Sequence, residues 1–237
     1  MIEISLFAVA ICLLPTMVIA WISFKWSGNG GEIAYATTRM LVQLLAAGFF
    51  LDFLFTGKDY LVGLLVILVM ITISGVISVR TVKKNRRTAF WRALAGIAIG
   101  GGCVLGFVLY GVLQLHDPAY QPRFIIPIAG MIFSNSMTAV TLAADRFERE
   151  SSLDIAYPDA RNMAWNAALI PQINALLAVG LVSLPGMMTG QILAGVDPLI
   201  AVRYQIVVMA MVLQSAGFSV ALYLWFCRPQ ESIIEAR

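Results

Sequence analysis

The uneven placement of basic residues among long apolar runs is what most constrains this 237-residue chain. The runs Ile4–Phe24, Met40–Phe55, Tyr60–Val79, Ala93–Leu113, Phe124–Leu142, Leu169–Leu184 and Ile200–Phe226 are to be set against the roughly 20 apolar residues that cross a bilayer as a helix. Between the third and fourth runs lies Arg80-Thr81-Val82-Lys83-Lys84-Asn85-Arg86-Arg87, with Arg92 beyond it and no acidic residue to offset it. Loops rich in Lys and Arg are retained on the cytoplasmic side of a membrane. If the loops alternate sides, all but Lys58, Arg123 and Arg203 of the sixteen basic residues fall on one side. The pattern predicts an all-α fold, a polytopic transmembrane bundle of about seven spans, with the N-terminus outside and the C-terminus inside.

Composition agrees: 60% of residues are hydrophobic and 12% charged, against about a quarter charged in a soluble domain. Seven spans and short loops leave no room for a separate soluble domain, so residues 1–237 read as one transmembrane domain. The net charge of +3 then reflects cytoplasmic loops rather than affinity for nucleic acid. The first run starts at Glu3 without a basic leader and is longer than a signal-peptide core, so it reads as an uncleaved span. Cys12, Cys103 and Cys227 lie in or at the ends of apolar runs, without CxxC spacing, and read as lipid-facing or packed side chains. The single histidine, His116, reads as a solvated turn residue, and no metal site is assigned.

The fourth run holds two GxxxG spacings, Gly96/Gly100 and Gly102/Gly106. Small residues four apart let a second helix approach closely, either within the chain or across a dimer seam. Trp21, Trp26, Tyr60, Trp91, Tyr110, Trp165, Tyr223 and Trp225 fall near predicted span ends, as an interfacial aromatic belt would. Gly28–Tyr35 reads as either an interfacial elbow helix or a loop.

The longest polar stretch, 143–168, is the candidate cytoplasmic coupling segment. Asp145 and Arg149 are spaced i,i+4 and favour a helix continuing past the membrane surface. Tyr157-Pro158 breaks it, because the residue before a proline is pushed out of the helical region. Pro158 can then open a short second helix through Arg161, Met163 and Trp165. A solvated charged loop is the plainer alternative.

Polar residues inside spans tend to face the bundle interior or a water-filled path. Thr138 shares a face with Ser134 and Thr141, with Asn135 beside them, and the sixth run opens Pro171-Gln172-Ile173-Asn174. Asn135, Gln172 and Asn174 serve either interhelical hydrogen bonding or a pathway. Pro185-Gly186, followed by Met187, Met188, Thr189 and Gln191, predicts a helix break that forms either a gate or a plain reversal at the outer surface. No Asp, Glu, Lys or His sits at a span centre, which disfavours a secondary transporter, and no buried nucleophile with a base suggests an intramembrane hydrolase.

The run Gly180–Gly195, containing Leu184-Pro185-Gly186-Met187-Met188-Thr189-Gly190-Gln191, followed by Ala201–Val207, closely resembles the FetB (YbbM) family of ABC-transporter permeases. Gly130-Met131-Ile132 with Asn135-Ser136-Met137, and Thr38-Arg39 with Val42-Gln43-Leu44, extend the resemblance over nearly the whole chain. It implies a permease subunit, not an enzyme, that exports iron or another metal across the cytoplasmic (inner) membrane. A nucleotide sugar or other small solute is the alternative cargo, suggested by plant relatives, and an ATP-independent secondary transporter is a further one. The chain lacks GxxxxGK[ST], so ATP and Mg are expected on a separate FetA-like ATP-binding subunit, with no cofactor on this chain. Paired permeases are the usual symmetric arrangement, and a homodimer is expected. By the same resemblance, Asp154, Tyr157, Pro158, Asp159, Arg161 and Trp165 form the element that docks on the ATPase. The family's Gly-Ala-Thr-Pro-like turn reads Ile155-Ala156-Tyr157-Pro158-Asp159 here, keeping the proline and losing the glycine. Gln43, Asn135, Thr138, Gln172, Asn174, Thr189 and Gln191 are the translocation-path candidates, and Pro185, Gly186, Met187 and Met188 the gate.

Overall fold

The computed structural model describes residues 5–28, 30–56, 60–115 and 122–229. His116 and Lys58 lie outside the described residues. Among the described residues the fold is nearly all helical, with eight helices and no strand. The chain divides into two compact units, Met1–Lys58 and Asp59–Arg237.

The first unit is a helical pair, α1 (Leu6–Ser27) and α2 (Gly30–Thr56). Ser5 caps α1 by accepting a hydrogen bond from the Ala8 amide, which satisfies one of the donors a helix start leaves unpaired. Gly28 closes α1 at φ +74°, a left-handed conformation that costs glycine nothing. A Cβ on Gly30 would lie 2.5 Å from the Ala20 carbonyl oxygen, so only glycine fits this tight reversal. The stretch Gly28–Tyr35 resolves accordingly: α2 starts at Gly30 and runs on without a separate elbow helix.

The second unit contains α3 (Tyr60–Ser78), α4 (Arg86–Gly106), α5 (Pro122–Ser152), α6 (Tyr157–Ala178), α7 (Gly186–Leu193) and α8 (Pro198–Phe226). A π-helical turn, Phe107–Val112, continues α4. Helix α8 is the hub, packing against α4, α5, α6 and α7. Gly96 and Gly100 make the α4–α8 contact possible. A Cβ on Gly100 would lie 2.7 Å from the Ser219 amide nitrogen, and one on Gly96 would lie 2.9 Å from the Ser219 carbonyl oxygen. The first GxxxG spacing therefore packs within the chain. Gly102 and Gly106 have nothing within 4 Å of where a Cβ would be.

Where α5 meets α8, Ser136 donates to the Ser215 carbonyl at 3.1 Å and Ser219 donates to Ser136 at 3.0 Å. All three serines are fully buried. Around them Ile97, Phe133, Val140, Met211, Val220 and Leu224 fill the core. Tyr223 is buried in this core, whereas Trp91 and Trp225 are exposed.

Five helices are long and apolar enough to cross a membrane: Phe7–Ser27, Leu61–Ser78, Arg86–Val112, Phe124–Ser152 and Pro198–Phe226. This is a multi-pass membrane protein. Two boundaries differ from the sequence reading. The second helix after Tyr157 is not short: α6 continues through Pro171 to Ala178, and its Asn162, Asn166, Gln172 and Asn174 keep it less apolar than the five. The predicted sixth span does not reach Leu184, because α6 stops at Ala178 and Gly180 turns at φ +81°.

Candidate functional site

The polar segment predicted to project from the fifth run does so as a helix. Helix α5 runs unbroken to Ser152, and Arg149 pairs with Asp145 at 2.9 Å while Arg146 pairs with the buried Glu150 at 2.6 Å. The Glu148 carboxylate accepts from the amides of Lys83 (3.0 and 3.1 Å) and Lys84 (2.6 Å). That contact fastens the basic α3–α4 loop to α5, where one acidic group serves two backbone donors that no helix supplies with acceptors.

Between α5 and α6 the chain reverses in four residues, Leu153 to Ala156, with Asp154 at φ +56°. Pro158 sits in the first turn of α6 as predicted, where its missing N–H costs nothing. Leu153, Asp154, Pro158, Asp159 and Arg161 are all exposed. Tyr157 points the other way. Its hydroxyl donates to the Leu224 carbonyl in α8 at 2.7 Å, and its ring meets Phe147 of α5 edge-on at 6.0 Å. Burial pushes the Tyr157 phenol above its ordinary value, with Arg161 pulling it back, so it remains a neutral donor. Tyr157, Arg161 and Trp165 line a shared groove of about 360 Å³ against Leu224 and Trp225 of α8. Of the six coupling candidates, Asp154, Pro158, Asp159 and Arg161 are exposed around the turn and the start of α6, whereas Tyr157 and Trp165 are half-buried against α8.

The path candidates are placed as follows. Asn135 donates to the Met131 carbonyl of its own helix at 2.8 Å. An i−4 carbonyl is within reach of a short side chain, and the bond is made there. Thr138 and Thr189 likewise bond to Ser134 and Pro185 carbonyls four residues back. Gln172 is buried in α6, Asn174 is exposed, and Gln43 is exposed on α2 in the other unit. Gln191 differs: its Oε1 is buried and accepts no hydrogen bond among the described residues.

The predicted break at Pro185-Gly186 begins earlier. Helix α6 ends at Ala178, a turn closed by a Val179–Ser183 bridge follows, and Pro185 starts α7 rather than ending a helix. Proline's fixed φ, here −61°, suits that place. Gly186, Met187 and Met188 are therefore helical, in the first turn of α7.

A sequence profile of the uncharacterised protein family UPF0014 matches residues 4–154 and 151–230. The chain belongs to the UPF0014 family. It is 34% identical over 206 residues to the UPF0014 membrane protein slr1647 of Synechocystis, covering 80% of this chain and 79% of that one. It is 33% identical to the Escherichia coli protein named probable iron export permease protein FetB, over 82% of this chain and 80% of the relative. The plant Arabidopsis thaliana contributes a relative named ALUMINUM SENSITIVE 3, 31% identical over 84% of this chain and 77% of its own length. No solved structure matches.

Two features of this UPF0014 chain escaped sequence reasoning. Gln205 is only 5% exposed, and its Oε1 accepts no hydrogen bond among the described residues. An amide in the Ile200–Phe226 run was the available signal, though Gln214 in the same run offers an equal one. The Ser136–Ser215–Ser219 cluster carried none, because serines in apolar runs usually bond to their own helix.

Proposed function

We propose that this UPF0014 protein is the permease subunit of an ATP-driven exporter in the cytoplasmic membrane, with iron as cargo. The likeness to the E. coli relative named as an iron export permease, over four-fifths of both chains, carries this reading. Helices α2 and α6, of 27 and 22 residues, are each long enough to span, since roughly 20 residues suffice. Added to the five apolar helices they give seven spans, the N-terminus outside, and the basic α3–α4 loop and α5–α6 turn in the cytosol. ATP and Mg bind a separate subunit, this chain itself being no enzyme and binding no cofactor. The open Gly102/Gly106 face of α4 suits a seam between two copies.

The geometry supplies a transmission route. An ATPase closing on the exposed turn around Asp154 and Asp159 displaces the first turn of α6. The displacement enters α8 through the Tyr157–Leu224 bond, and through Trp165, which lies 3.9 Å from where a Cβ of Gly217 would stand. Helix α8 carries the motion along its length to Gln205 and to α7, where Gln191 sits. These two buried amides are the strongest path candidates, because a buried acceptor without a donor costs free energy that a passing hydrated cargo can relieve.

Reconstitution of the permease with its ATP-binding partner in proteoliposomes tests the reading. ATP-dependent movement of ferrous iron is expected. ATP-dependent movement of a nucleotide sugar alone would change the cargo, and movement driven by an ion gradient without ATP would replace the mechanism with secondary transport.

A further inference from the structure

At the basic end of the second unit, α4 and α8 leave a groove of about 450 Å³ lined by Arg87, Thr88, Trp91, Arg92, Ala95 and Phe226. Behind it lies a larger cavity of about 610 Å³ of mixed charge, lined by Lys83 and Lys84 and by Asp145 and Glu148, and sharing Thr88 and Arg92 with the groove. Arg92 is half-buried and lies beside the buried Cys227, whose thiol is pushed up from its ordinary value by burial. A half-buried guanidinium ordinarily finds a carboxylate.

The nearby carboxylates are committed elsewhere. Asp145 holds Arg149, Glu150 holds Arg146, and Glu148 takes the Lys83 and Lys84 amides. Among the described residues, neither Arg87 nor Arg92 has an acidic partner. The first turn of α4 adds no acid, and Asn85 makes no side-chain cap there. The groove is thus a cationic recess waiting for an anion. Its other wall is apolar: Trp91 is 58% exposed, and Ile99 and Phe218 are exposed further along α4 and α8.

We propose that this α4–α8 groove binds an anionic phospholipid of the adjoining leaflet, its phosphate held between Arg87 and Arg92 and its acyl chains lying along α8 past Phe226 and Phe218. The guanidinium fork of Arg92 matches phosphate oxygens in pairs. Trp91 sits where an indole favours the headgroup level, and basic recesses between spanning helices suit such headgroups. A soluble phosphate compound would satisfy the cations but leave the apolar wall uncovered. This assignment stands independently of the cargo and of the ATPase.

Native mass spectrometry of the full chain in detergent, titrated with phosphatidylglycerol or phosphatidylcholine, tests it. The parent is expected to retain phosphatidylglycerol selectively. The double variant Arg87→Gln/Arg92→Gln should lose about tenfold or more of that retention, while Arg203→Gln, which removes one charge from the opposite end of α8, should keep it. Should the double variant fail to fold, Arg87→Gln alone alters an exposed side chain and is expected to weaken retention as well. Equal retention of both lipids, or undiminished phosphatidylglycerol binding in the Arg87 and Arg92 variants, would overturn the proposal. So would displacement of the lipid by inorganic phosphate with equal thermal stabilisation, which would assign the recess to a soluble ligand.

Discussion

The Tyr157 hydroxyl donates to the Leu224 carbonyl at 2.7 Å, joining the first residue of α6 to the last turn of α8. Helix α6 leaves the exposed turn, and α8 touches four other helices. One hydrogen bond therefore links an exposed turn with a helix that packs through the second unit. Tyr157→Phe keeps the ring against Phe147 and removes only this bond. The expected cost in stability is modest, about 0.5–1.5 kcal/mol. Transport per ATP hydrolysed should fall by more than ATPase binding does, which paired transport and hydrolysis assays on the reconstituted complex would measure.

The two GxxxG spacings on α4 should respond oppositely to one added methyl. Gly100→Ala drives a Cβ to within 2.7 Å of the α8 backbone, and overpacking of this kind costs about 1–3 kcal/mol. Gly102→Ala meets nothing within 4 Å in the monomer and should raise its thermal unfolding temperature slightly, because Ala is favoured over Gly in a helix interior by about 0.5–1 kcal/mol. Melting curves of the two variants in detergent compare them directly.

Glu148 holds the α3–α4 loop by accepting from two amides. Charge-assisted bonds of this type contribute about 1.5–3 kcal/mol when buried, and less at a half-exposed site such as this one. Glu148→Ala should release the loop and expose the Lys83–Arg87 block to trypsin. Cleavage several times faster than in the parent is expected from inside-out vesicles, and protection should persist in right-side-out ones.

Gln205 buries an acceptor without a donor, so replacing it with an apolar side chain of similar size removes a desolvation cost of about 1–3 kcal/mol. Gln205→Leu should raise the melting temperature while lowering the transport rate. Gain in stability with loss of activity is the usual signature of a functional group kept at structural expense.

The parts of the fold that were legible in sequence were those set by local chemistry. The α5 extension followed from the Asp145/Arg149 spacing, and the start of α6 from Pro158. The close α4–α8 packing followed from Gly96 and Gly100, though not the choice between partner helix and second copy. What escaped depended on tertiary neighbours. Asn135 reads as an interhelical partner or a pathway residue, and its bond to the Met131 carbonyl of its own helix is visible only in the structure. Pro185 reads equally well as ending one helix or starting another. Here the chain has already left α6 at Ala178, so proline serves the start. Polarity alone does not distinguish Thr138, satisfied by its own helix, from Gln205, whose Oε1 accepts no hydrogen bond among the described residues. Tyr157 was marked as a surface contact and proves to be an anchor, because its aromatic body favours burial while its hydroxyl needs an acceptor.

Site-specific cross-linking addresses the coupling turn most directly. With the native cysteines replaced, single cysteines at Asp154 and Asp159 would be treated with a short bifunctional thiol reagent in membranes containing the cognate ATP-binding subunit. Both positions should cross-link to that subunit, with yields that change between nucleotide-free and ATP-bound conditions. Modification of the same two cysteines by an impermeant reagent from the outer face of intact cells, with no cross-link to the ATPase, would contradict the proposed route.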